Sequence, residues 1–214
     1  MTIERAGAVA LIAGTLAMAL VMALHPTSAS SHGGEIVKTL RLGLIVHAVA
    51  IAAAPVLTFG FFALTRAIGF DRPIASLAFF FYVFGALAVM LAATMSGLVA
   101  PRLIEAQLAA SGADQAMIHS LLRLEWYLNQ SFATLNVAFF SAAIALYAIA
   151  WPEKGVLAAA IQIAGLLVGF GVFAWLVSGT LTLDVHGMGL VVIAQGAWII
   201  LAAFGLLLRN SRSH

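Results

Sequence analysis

No cysteine occurs anywhere in the 214 residues. That absence excludes disulfides, thiolate metal sites, iron–sulfur clusters and CxxC redox chemistry, so any metal must be held by His, Met, Asp, Glu or backbone groups. Charge is scarce as well. Only 8% of the residues are Asp, Glu, Lys or Arg, where soluble domains carry about a quarter. Ten basic and eight acidic residues leave a formal net charge of +2. The pI of 9.4 therefore reflects few charges rather than a basic surface. With no basic stripe and no nucleic-acid motif, a nucleic-acid partner is not expected. No Gly-rich loop follows a strand, and no HExxH, GxSxG or DxDxT-like pattern is present, which leaves nucleotide binding and the common hydrolase signatures without support.

What is there instead is hydrocarbon. Hydrophobic residues make up 64% of the chain, and the mean hydropathy is +1.10. Six apolar stretches reach spanning length, at about residues 6–24, 41–65, 74–99, 120–150, 155–178 and 187–208. The fold class expected is an all-α integral membrane protein, a six-transmembrane-helix bundle forming one domain over residues 1–214, with the lipid bilayer as its surroundings. The first stretch is longer than a usual signal-peptide core, so a retained helix is expected. Pro55 falls near the middle of the second stretch and predicts a kink. Pro101-Arg102 is expected to close the third, with a short surface helix within residues 102–116. Gly165 and Gly169 form a small-xxx-small face suited to close helix packing. Trp126, Tyr127, Trp151 and Trp175 read as interface anchors.

Six spans put both termini on one side. That side holds Arg5, Arg66, Arg72, Lys154, Arg209 and Arg212, and the other holds Lys38, Arg41, Arg102 and Arg123. The positive-inside rule then favours cytoplasmic termini, and a bacterial cytoplasmic membrane is the expected location. With that topology His25, His32, His47, His119 and His186 all fall on the outer side, and of the six histidines only His214 does not. Met18, Met22, Met90, Met95, Met117 and Met188 sort the same way, as do Glu35, Glu105, Asp114, Glu125 and Asp184.

One spanning segment is unusually polar. Residues 117–136 carry His119, Arg123, Glu125, Asn129, Gln130 and Asn136. Polar side chains near hydrocarbon cost free energy unless they meet a partner, a cavity or water. Counting depth at about 1.5 Å per residue brings His25, His47, Thr94, Ser96, Glu125, Asn129, Asp184 and His186 to one level, the outer interface. His119 stands above that level and Asn136 below it. Met18, Met22 and His25 are spaced i, i+4, i+7 and share one helix face.

Imidazole with thioether suits copper, the thioether selecting Cu(I). The metal-ligand candidates are His25, His47, His186, Met22, Asp184 and His119, with Asn129 and Ser96 supporting them. Copper binding for metal handling or redox chemistry is the favoured function. Haem iron is an alternative, with His47 and His186 as a facing axial pair. Zinc is another, with Glu125 as the general base of an intramembrane hydrolase. A further alternative is an accessory subunit that meets other membrane subunits and has no site of its own. Each residue also has a plainer explanation. Outer loops collect polar residues by length, methionine fills gaps in packing, and the Glu125–Asn129–Asn136 stripe suits interhelical hydrogen bonding.

Overall fold

The computed structural model describes residues 1–26 and 33–210, with the side chains of residues 33–37 and 210 left aside. His32, Arg212, His214 and the side chain of Glu35 lie outside the described residues. The described chain is helical. The helices are α1 (Ile3–Leu24), α2 (Gly33–Ile68), α3 (Pro73–Thr94), α4 (Ala100–Ala109), α5 (Gly112–Ala150), α6 (Val156–Val177) and α7 (Val185–Asn210), with a π-helical turn at Met95–Val99 between α3 and α4. Six helical segments are long and apolar enough to cross a membrane, α3 and α4 counting as one through the π turn. Their outward faces carry large apolar side chains such as Leu16, Phe80, Phe84, Leu167, Phe170 and Ile193. Those faces suit contact with a bilayer, whose tails are as apolar as the side chains themselves.

Small residues set how closely neighbouring helices approach. On α1, Gly7 sits against Ala63 of α2, and Gly14 against Leu57. On α6, the Gly165/Gly169 face lies against α5, where a Cβ at Gly169 would stand 2.7 Å from the Ser141 carbonyl oxygen. The main core is aromatic. Phe61 stacks on Tyr82 at 4.0 Å between ring centroids and on Tyr147 at 5.5 Å, and Trp198 and Ile144 are buried with them. The few polar groups in this core are paired, as hydrocarbon requires. Thr65 Oγ1 lies 2.6 Å from Tyr147 Oη, and the Trp198 indole donates to the Ile161 carbonyl at 3.0 Å. At the terminal end, Arg209 closes an ion pair with Glu153 at 2.9 Å.

Two features differ from the expectation. The third helix does not stop at Pro101 but continues through α4 to Ala109. Proline lacks the N–H that a helix interior requires. Here the π turn precedes it, and the Ala100 N–H reaches back five residues to the Met95 carbonyl. The altered register absorbs the proline without ending the helix. Pro55 lies inside α2, as the sequence places it. Finally, α5 begins at Gly112 rather than near residue 120, so its first three turns and α4 form a helical hairpin of mostly exposed residues.

Candidate functional site

A cavity of about 370 Å³ lies among α1, α2, α3, α5 and α7, in the half of the bundle that carries the histidines. Its mouth is formed by His25 on α1, His47 on α2, Ser96 in the π turn, Asn129 and Gln130 on α5, and the segment leading into α7. Its floor reaches the middle of the bundle at Thr15, Leu57, Tyr82, Phe140 and Ile199. Between these levels the wall is mainly apolar, built from alanines and branched side chains.

The stripe Met18, Met22 and His25 on α1 points into this cavity. Opposite it stands His47, only 9% exposed. The two imidazoles meet edge to face, with ring centroids 5.1 Å apart. Local backbone fixes which nitrogen each presents. His47 Nδ1 donates to the Gly43 carbonyl at 2.6 Å, one turn back in α2. His25 Nδ1 donates to the Pro26 carbonyl at 3.1 Å, where α1 has ended. A bond to a carbonyl requires the proton on Nδ1, which leaves each neutral ring with a bare Nε2. Metal-ligating histidines are commonly oriented by this kind of bond. The 5.1 Å separation also carries information. It is the ordinary spacing of two rings packed edge to face, and it also equals the spacing of about 5 Å that two imidazoles bound to one ion at about 2.0 Å would have at a tetrahedral angle.

The close approach of His47 depends on the π turn. Gly97 lies directly against it, and a Cβ there would collide with the His47 Cβ. The neighbouring Ser96 Oγ accepts from Asn129 Nδ2 at 2.7 Å, and the same amide donates to the Ala92 carbonyl at 2.9 Å. Asn129 therefore ties α5 to the turn that seats His47. Gln130 spans the other side, reaching the Asn129 Oδ1 and the Leu183 carbonyl, each at 3.4 Å.

Other expected residues stand elsewhere. Asp184 lines the cavity, but its Oδ1 accepts from the Gly187 N–H at 2.8 Å and caps α7. His186 is exposed and does not line the cavity, so it does not face His47 across it. His119 is exposed on the α5 hairpin. Glu125 is buried, with Oε1 unpartnered, yet it too is absent from the cavity wall. Among the described residues, no group of three or more His, Asp and Glu side chains is placed to hold a metal ion. The sequence reading overlooked Thr15, Tyr82 and Gln195, which give the deep cavity its polarity. A signal for Thr15 was present, because it extends the Met18–Met22–His25 face by three residues toward the terminal end. No protein-family model matches this chain, and neither a curated protein nor a solved structure matches it.

Proposed function

We propose that this chain is a membrane-embedded copper-binding protein, holding Cu(I) at the cavity mouth between His25 and His47 with Met22 as the thioether ligand. The observation that carries the reading is the imidazole pair, with both Nδ1 atoms tied to carbonyls and the rings 5.1 Å apart. Met22 stands one turn before His25 on the same lining face of α1, and a thioether beside imidazoles favours copper in its reduced state. Met18, one turn deeper, supplies a second thioether. The proposed site faces the outer side of a bacterial cytoplasmic membrane, following the distribution of Lys and Arg.

The alternatives find less support. An axial pair for haem calls for facing imidazoles, and His186 does not share the cavity with His47. A hydrolytic zinc centre calls for three ligands and a base beside them, and Glu125 does not reach the cavity. The test is titration of tag-free, metal-stripped protein in detergent with Cu(I) against a colorimetric chelator. About one equivalent of Cu(I) bound tightly by the wild type, and at least about tenfold weaker binding by His25→Ala and His47→Ala, is the expected result. Uptake below about one tenth of an equivalent, or unchanged affinity in both variants, would overturn the reading.

A further inference from the structure

The cavity is far larger than an ion requires. Its volume of about 370 Å³ falls within the range of small-molecule pockets, about 300–1,000 Å³, and its lining reaches from the histidines down α1 to Thr15. At that depth one group is unpaired. Thr15 is 5% exposed, lines the cavity, and its Oγ1 is buried with no hydrogen-bond partner. Threonines in helices usually return the hydroxyl to the carbonyl four residues back. Thr58, Thr65, Thr94 and Thr134 do so here, whereas Thr15 does not. Its methyl faces Gly196 of α7.

The amides that share this floor have spare donors too. Asn136 spends one N–H on the Gly85 carbonyl at 3.0 Å, and Gln195 spends one on Ser141 Oγ at 3.1 Å. Each NH₂ group carries a second proton. No charged side chain lines the floor. At the mouth the Asn129 and Gln130 carboxamides already have both N–H groups engaged, whereas at the floor Tyr82 and Phe140 stand beside the spare donors with an apolar wall above them. A ligand matching this arrangement is neutral and apolar in its body, with an acceptor oxygen at its inner end.

We propose that the cavity beneath the histidines binds a membrane-soluble quinone, one carbonyl directed at the floor to the Thr15 hydroxyl and the second amide protons of Asn136 and Gln195, with the apolar body of the ligand along the wall above. The proposal does not depend on copper, because its donors lie on the floor rather than on the imidazoles.

The experiment uses the full-length, metal-stripped protein in detergent, titrated with decylubiquinone and followed by quenching of tryptophan fluorescence, since Trp126 lines the mouth. Decylbenzene, which lacks the carbonyls, is the control. Two variants report on the floor. Thr15→Val removes the hydroxyl and keeps the shape, and Ala86→Phe fills part of the cavity. Wild type is expected to show saturable quenching with decylubiquinone and none with decylbenzene. Thr15→Val is expected to bind about tenfold more weakly, the size of one buried hydrogen bond, and Ala86→Phe not measurably. Thr15→Val should unfold at the wild-type temperature, which shows that the variant is folded whether or not the protein holds copper. Absence of saturable quenching by decylubiquinone overturns the proposal, as does equal binding of decylbenzene. Unchanged affinity in Thr15→Val overturns it too, whatever Ala86→Phe does.

Discussion

Gly97 illustrates how much of the proposed site rests on single positions. A side chain there meets His47 directly, whereas Gly43, whose carbonyl orients the same imidazole, has open space where its Cβ would go. Gly97→Val is therefore expected to push His47 from its position at a cost of about 1–3 kcal/mol in stability. Copper affinity should fall with it, while Gly43→Ala should leave both nearly unchanged. Thermal unfolding and Cu(I) competition on the two variants check the contrast. The histidines also mark how far depth along a sequence can be read. Counting residues per span placed His25, His47 and His186 at one level, and the structure keeps His25 and His47 together. Depth does not supply the angle around the helix axis. His186 follows Asp184, whose side chain caps α7, and it ends on the exposed side. The Met18–Met22–His25 face was legible because three residues at helical spacing fix both height and angle. His47 had no such companion residues, and its partner became visible only once α1 and α2 were packed.

At the scale of elements, the apolar runs announced all six helices that are long and apolar enough to span a membrane, because about 20 apolar residues in succession have few other uses. The helix ends were less legible. Pro101 reads as a stop, and nothing in MSGLVAP advertises a π turn able to carry the helix past it. The polar stretch in α5 was legible as a helix that something must face, and its amides do face something. Asn129 holds the π turn, Asn136 holds the Gly85 carbonyl of α3, and Gln130 reaches the approach to α7. These bonds are also what ordinary interhelical packing would use, so Asn129 has a structural role besides any part in a site. Asn129→Leu is expected to cost about 0.6–1.7 kcal/mol, the range measured for hydrogen bonds between membrane helices. The α5–α6 contact gives a larger effect. Gly169→Leu places bulk against the Ser141 carbonyl and Ala145, and overpacking of this kind costs about 1–3 kcal/mol. Unfolding in mixed micelles would measure both, and a neutral Gly169→Leu would contradict the packing described.

At the scale of the whole molecule, an aromatic core fills the half of the bundle near the termini, and the cavity occupies the other half. The even number of spanning segments puts the start of α1 and the end of α7 at one end, away from the cavity mouth. The absence of cysteine makes the orientation in a membrane directly testable with single-cysteine variants and an impermeant maleimide on intact cells. Asp114→Cys, on the hairpin beside the mouth, is expected to label from outside. Lys154→Cys, between α5 and α6, is expected to label only after permeabilisation. The reverse pattern would turn the cavity mouth toward the cytoplasm. X-ray absorption on the Cu(I)-loaded, tag-free protein reads the proposed shell of His25, His47 and a thioether itself. A mixed shell of imidazole nitrogen and one or two sulfur scatterers is expected, at about 2.0 and 2.3 Å by analogy with zinc, with the imidazole signal lost in the His25→Ala/His47→Ala double variant. A shell without sulfur, or one that the double variant leaves unchanged, would contradict it.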